Sequence, residues 1–276
     1  VGPQSSNTFS NLSQTGNYIL SVTDGNGCVV TNNITLVPPV NPTLIINPAS
    51  NLCVSNTTGA TITVTAAGGH PPFQYTINSS ASQSSNTFTN VVPGSYTITV
   101  IDSYGCTAFV TQTIAPALLA PAVLTKNLDC SVTPDAVITV NVNGGTTPYQ
   151  YQVNFNGGGF GALSPIVGTS LTYTTAVAGT YQFLITDGAG CTYTTNTITI
   201  SPITLPDITS VVQTQQNLCN GDTNGAFTVN YNSGLGIAPF QFSIDGGTTY
   251  QNSNIFTGLT AGTYTVIIRD SKSCTD

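Results

Sequence analysis

The side chains in this chain that could do chemistry are few. There are seven cysteines, ten aspartates, one histidine (His70), two lysines (Lys126 and Lys272) and one arginine (Arg269), with no glutamate. General acid–base catalysis needs a proton donor and acceptor held within reach of a substrate. His70 stands alone in a turn between apolar runs and reads as a loop residue, and the aspartates are spread about one to a turn. The residue types expected together at an active site are not grouped, so we expect no enzyme, no catalytic residue and no cofactor. Zinc needs clustered ligands such as Cys-x-x-Cys with a histidine pair. Calcium needs several oxygens within about a dozen residues. Neither pattern occurs, so no metal is expected. A self-generated Lys–Asn isopeptide bond fails for residues 41–117, which contain no lysine. What remains is thiol chemistry.

The cysteines sit at fixed places in a recurring stretch. GNYILSVTDGNGC ends at Cys28, GSYTITVIDSYGC at Cys106, GTYQFLITDGAGC at Cys191 and GTYTVIIRDSKSC at Cys274. In every copy Tyr precedes Cys by ten residues and Asp precedes it by four, and Tyr18, Tyr96, Tyr181 and Tyr264 are 78, 85 and 83 residues apart. A motif without insertions on a slightly varying period describes a repeated domain with variable loops. Three more cysteines, Cys53, Cys130 and Cys219, precede the second strand of each unit.

Composition sets the class. Charged residues are 5% of the chain, Met and Trp are absent, and the strong helix formers Glu, Lys and Arg are scarce or missing. Thr, Val, Ile, Tyr and Phe, which suit pleated strands, are plentiful. The expected fold is all-β: tandem immunoglobulin-like β-sandwich repeats of about 80 residues. A net charge of −7 with three basic side chains cannot neutralise a phosphate backbone, so no nucleic acid is expected. No apolar run approaches the ~20 residues needed to cross a bilayer, so no membrane insertion is expected of this segment. The regular two-residue alternation argues against disorder.

In chain order, residues 1–40 read as the C-terminal part of a truncated repeat. Residues 41–117 and 118–202 are complete repeats, and 203–276 is a repeat lacking its last strand. We expect the segment to come from a longer protein. Proline-containing joints (VPPVNP, APALLAP, SPITLP) separate the units and stiffen their connections. Parity assigns the inward faces: Tyr18-Leu20-Val22, Tyr96-Ile98-Val100, Tyr181-Phe183-Ile185 and Tyr264-Val266-Ile268 on the signature strands. Ile62-Val64, Ile138-Val140 and Phe227-Val229 do the same on the second strands, and the first strand of repeat 41–117 is expected to run to Cys53. Gly-x-Tyr before the signature strand suits a tyrosine corner, with the phenols of Tyr18, Tyr96, Tyr181 and Tyr264 bonding back to upstream backbone. Asp24, Asp102, Asp187 and Asp270 recur at one position and are expected to cap their turns. Asn-x-Ser/Thr occurs at Asn11, Asn33, Asn56 and Asn78, as chance provides in so Asn/Thr-rich a chain, and carries no argument for glycans.

Three features together resemble the SprB-type repeat of very large surface adhesins from gliding Bacteroidota. They are a Cys before the second strand, Gly-Gly-x-x-Pro-aromatic-x-aromatic, and Gly-Thr-Tyr ending in Asp-x-x-Gly-Cys. The best-matching residues are Gly144-Gly145-Thr146-Thr147-Pro148-Tyr149-Gln150-Tyr151 and Gly262-Thr263-Tyr264-Thr265-Val266. Gly236-Ile237-Ala238-Pro239 lacks the glycine pair, and Ser273 replaces the glycine before Cys274. The resemblance implies an exported, cell-surface filament moved along the cell and delivered by the type IX secretion system.

Two cysteines per unit in an otherwise unreactive chain suggest an extracellular disulfide framework. Two connectivities stand open. Within-repeat clips would pair 53–106, 130–191 and 219–274. In a sandwich, however, the two cysteines of one repeat should lie at opposite ends, while end-to-end stacking would bring together Cys53 with Cys191 and Cys130 with Cys274. The second pairing leaves Cys28, Cys106 and Cys219 to reach neighbouring repeats of the same longer chain. The leading expectation is a structural stalk segment of a long secreted filament. The alternative is a glycan- or cell-binding module using loops such as 78–90 or 155–170 to meet surface polysaccharide or other cells, with Tyr104 and Phe160 as scattered aromatics.

Overall fold

The structure, a computed structural model, describes residues 4–55, 57–219 and 221–276. Every regular element among the described residues is a strand. The chain divides into two compact units, Val1–Leu52 with Thr58–Ile114, and Cys53–Thr57 with Ala115–Asp276.

The first unit contains β1 (Gly16–Thr23), β2 (Val29–Leu36), β3 (Thr43–Ile46), β4 (Ala60–Ala67), β5 (Gln74–Ile77), β6 (Thr87–Val91), β7 (Gly94–Ile101) and β8 (Thr107–Ile114). Two three-stranded antiparallel sheets, ordered β3-β4-β6 and β5-β7-β8, form one sandwich, and β1–β2 is a separate two-stranded sheet. Alternation decides which side chains go inward. On β4, Ala60, Ile62 and Val64 are fully buried, as are Ile98 and Val100 on β7, while thronged threonines take the wet faces.

Two expectations need correcting here. The β1–β2 hairpin has the same alternation as β7–β8, yet Val22 is 73% exposed and Tyr18 and Leu20 are only half-buried. Parity defines an inward face only where a second sheet covers it, and β1–β2 stands as a two-stranded sheet. The first strand also stops at Ile46 instead of running to Cys53. Pro48 has no N–H to continue the ladder. The Asn47 carboxamide oxygen accepts from the Ala49 N–H at 2.9 Å, and the Asn47 carbonyl accepts from Ser50 N–H at 2.9 Å, closing a turn. Cys53 is thereby left outside the strand and belongs to the second unit.

The second unit holds two sandwiches. In the first lie β9 (Ala122–Lys126), β10 (Ala136–Asn141), β11 (Tyr149–Phe155), β12 (Ser164–Ile166), β13 (Ser170–Thr175), β14 (Gly179–Thr186), β15 (Thr192–Thr194) and β16 (Ile198–Ile200). The second has β17 (Ile208–Gln215), β18 (Gly225–Tyr231), β19 (Gln241–Ser243), β20 (Ile255–Leu259) and β21 (Ile267–Arg269). Sheet β13-β10-β9 faces sheet β12-β11-β14-β15, with β16 also on β14. Ile138 and Val140 of β10 meet Tyr149 of β11 and Phe183 and Ile185 of β14 in one core. The later sandwich pairs β17-β18-β20 with β19-β21 around Val229, Phe242, Phe256 and Ile268. The loop region 155–170 is not structureless: it carries β12 and the Asn154–Phe160 bridge.

Equivalent loops repeat their backbone geometry. Pro72, Pro148 and Pro239 each follow a cis peptide bond at the start of the aromatic strand. Asn196 ties the last strand to the first, its side chain bonding the Ala122 N–H at 3.0 Å and the Ala122 carbonyl at 3.1 Å.

Candidate functional site

The recurring residues build two local devices and one long-range one. The first is the tyrosine corner. The phenols of Tyr18, Tyr96, Tyr181 and Tyr264 donate to the carbonyls of Gln14, Val92, Val177 and Thr260 at 2.7, 2.9, 2.8 and 2.9 Å. The glycine two residues before each of the first three tyrosines has φ of +136° to +154°. At Gly179 an added Cβ would lie 2.7 Å from Asn156 Oδ1, so the corner also needs the small residue. Tyr181 is buried, and its hydroxyl also meets Thr175 Oγ1 at 3.0 Å. Tyr181→Phe is expected to cost about 1–1.5 kcal/mol, because the buried phenol loses its hydrogen bonds to the Val177 carbonyl and Thr175 Oγ1. Tyr18→Phe, half-exposed, should cost much less. Urea unfolding of the two variants checks this, and equal losses would refute it.

The second device is the aspartate. Asp24, Asp102, Asp187 and Asp270 each cap their hairpin: one carboxylate oxygen accepts from the N–H two residues on and from the cysteine N–H four residues on, at 2.8–2.9 Å. In the three fuller repeats the other oxygen reaches a different loop. Asp102 accepts from His70 N–H at 3.0 Å, Asp187 from Thr146 N–H at 2.8 Å and Asp270 from Ile237 N–H at 3.0 Å. The aspartate is therefore a brace between the hairpin and the glycine turn, a role beyond the turn capping expected from sequence. Its signal was present in the shared recurrence of the Asp and the Gly-Gly turn, but nothing in the spacing says that the two loops touch. Glycine is required there: a Cβ on Gly145 (φ +67°) would sit 2.8 Å from Asp187 Oδ2. The Gly145 N–H donates in turn to the Pro116 carbonyl at 2.8 Å, so the brace reaches the proline joint. Burial pushes the Asp102 carboxyl up, but the amides of His70, Cys106 and Tyr104 outweigh it and the net shift is downward. His70 itself packs its ring on Tyr104 at 4.2 Å.

The long-range device is the disulfide pair. Cys53 is bonded to Cys191 and Cys130 to Cys274, with Cα–Cα distances of 5.4 and 4.8 Å. Each bond joins a cysteine preceding the second strand of one repeat to the hairpin cysteine of the next, and among the described residues no disulfide closes a single repeat. Backbone pairing reinforces the second bond, since Cys130 N–H donates to the Lys272 carbonyl at 2.9 Å and Cys274 is buried. Cys28, Cys106 and Cys219 carry free thiols, the first and last of them exposed.

Just before Cys130, Lys126 Nζ meets Asp129 Oδ2 at 2.8 Å, and Asp129 Oδ1 accepts from the Ser131 hydroxyl at 2.7 Å. The Lys126 hydrogen bond, with those of Ser131, holds the Asp129 carboxyl down to about 2. A carboxyl depressed in the folded state adds stability above its ordinary value near 3.8, and that stability is lost as pH falls through the folded value. A carboxyl NMR titration should place its midpoint near pH 2, and Lys126→Ala should move the midpoint up. A midpoint unmoved by that substitution would refute the assignment.

A ligand site is not evident in this arrangement. A cavity of about 30 Å³ beside the Cys130–Cys274 bond, lined by Leu128, Pro202, Ile237 and Asp270, has room for no more than about one or two waters. No group of three or more potential metal-ligating side chains is gathered among the described residues. Tyr104 (74% exposed) and Phe160 (38%) belong to different units. Asn56 lies outside the described residues. The sequence reading missed the Asp245 loop, where the carboxylate accepts from Ser243 Oγ at 2.7 Å and Thr249 Oγ1 at 2.6 Å. It also missed Arg269, whose guanidinium lies 3.8 Å from the centre of the Tyr250 ring.

No curated protein matches the chain by sequence. Among solved structures, it is similar to a tetra-tandem repeat in the extending region of a large adhesion protein (14% identity, covering 95% of this chain and 80% of that one, TM-score 0.27). It is also similar to the central fibronectin-III array of RIM-binding protein (15% identity, 87% and 95% covered, TM-score 0.23). A third is protocadherin gamma B2 extracellular cadherin domains 1–5 (10% identity, 96% and 70% covered, TM-score 0.23). The family model described as SprB repeat matches residues 45–82 and 122–158. Each matched segment runs from the first strand of a sandwich through the glycine turn and a few residues past the aromatic strand. These two segments thus match the SprB repeat.

Proposed function

We propose that this chain is a structural stalk segment of a long secreted cell-surface filament, an adhesin serving gliding motility or surface attachment and delivered by type IX secretion. The observation that carries the reading is the connectivity: both disulfides join cysteines of successive repeats. Bonds placed this way contribute little to holding one repeat shut and much to holding repeats together under tension. Disulfides persist outside the reducing cytosol, which suits a secreted location. Proline-rich joints limit bending, and a polar surface of Thr, Ser and Asn with charged residues at only 5% of the chain offers little to strong partners. The partners are neighbouring repeats of the same longer chain, with Cys28 and Cys106 occupying the hairpin position and Cys219 the other. No catalytic role is proposed.

Non-reducing peptide mapping by mass spectrometry, on protein recovered from its natural source, tests the reading. Chymotrypsin or pepsin is needed, because trypsin has three sites. Bridges 53–191 and 130–274 on surface-exposed protein support it. Free thiols throughout would overturn it.

A further inference from the structure

We infer that the two disulfides are overlapping loops that form a redundant length limiter: either bond alone holds the unravelled chain to nearly the span that both allow. The bonds have sequence separations of 138 and 144 residues. Cys130 lies inside the first loop and Cys191 inside the second, so the stretch 130–191 belongs to both.

Tension on a covalent network follows its shortest route. From Cys53 that route crosses to Cys191, runs backward along the chain to Cys130 and crosses to Cys274. About 60 residues then replace about 220, so the span between Cys53 and Cys274 is limited to about 220 Å instead of about 800 Å at roughly 3.6 Å per residue. The proline joints at 115–121 and 201–206 lie off this route, so a fully stretched chain leaves them slack.

Opening one bond changes little. The tension then passes through the other bond by a path longer by only about 16 or 22 residues, roughly 60–80 Å. Opening both releases about 160 residues, roughly 580 Å. Independent clips behave otherwise, because each would release its own loop and the releases would add. A disulfide exposed to exchange with a passing thiolate can open. Overlap means that one such event does not lengthen the filament appreciably. This use rests on the load-bearing reading above, whereas the overlap itself does not.

The test is single-molecule stretching of the full chain from its ends, with the thiols of Cys28, Cys106 and Cys219 alkylated beforehand. Three variants are compared with the parent: Cys53→Ala with Cys191→Ala, Cys130→Ala with Cys274→Ala, and all four. The stretched length does not depend on native folding, only on the remaining bond, which non-reducing peptide mapping verifies. The expected lengthening is about 60–80 Å for either pair and roughly 580 Å for all four. A lengthening of several hundred ångströms in either pair variant overturns the inference, whether it arises from non-overlapping loops or from the remaining bond failing to form. Lengths as expected in a chain found only inside the cell would overturn the stalk reading and leave this one standing.

Discussion

Cys274→Ala is expected to lower the stability of the second unit by about 4–5 kcal/mol, because the bond it breaks closes a loop with a separation of 144 residues. A cross-link of that length removes much of the freedom of the unfolded chain, and the cost scales with the logarithm of loop size. For a unit of this size the loss corresponds to a fall in Tm of roughly 10–20 °C. Cys130→Ala should match it, since the two share one bond, while Cys28→Ala should be neutral because Cys28 is exposed and unbonded. Calorimetry with and without a phosphine reductant, which opens both bonds of the unit, should show a fall at least as large. A second-unit transition unmoved by reduction, or a Cys28→Ala effect as large as that of Cys274→Ala, would remove the staple from the account.

Asp187→Ala is expected to cost about 3–5 kcal/mol, since it strips the acceptor from the amides of Ala189, Cys191 and Thr146 at once. These N–H groups sit around a side chain that is 5% exposed, where water cannot readily replace the lost oxygen. Asp187→Asn should cost less, because one oxygen can still serve the hairpin while the amide nitrogen turns a second donor toward Thr146. Asp24→Ala is the internal control: that carboxylate is exposed and caps only its own turn. Urea unfolding orders the three variants, and amide exchange at Thr146 locates the damage. Equal losses at Asp187 and Asp24 would show that the bridging oxygen contributes nothing.

Much of the fold was legible in the residues because it depends on local rules. Alternation places Ile62 and Val64, Ile138 and Val140, and Phe183 and Ile185 inward, and all six are fully buried. Gly-x-Tyr at fixed spacing made the corner foreseeable, since the phenol reaches only four residues back along its own backbone. The same local rules failed where context was missing. Val22 obeys the pattern that buries Val100 and yet lies exposed, because the pattern names a face and not what covers it. The first strand stopped short of Cys53 because Pro48 and the Asn47 turn ended the ladder.

By itself, then, the sequence determined the class from composition and alternation, and the corners and hairpin caps from contacts within a few residues. Only the tertiary structure decided what joins distant loops. Two disulfide connectivities were open on spacing alone, and the choice lies in Cα–Cα distances of 5.4 and 4.8 Å between residues more than 130 apart. The second oxygen of Asp187 finds Thr146 for the same reason. Such contacts are set by how folded sheets bring loop ends together in three dimensions, and a linear chain does not encode those distances in any local period.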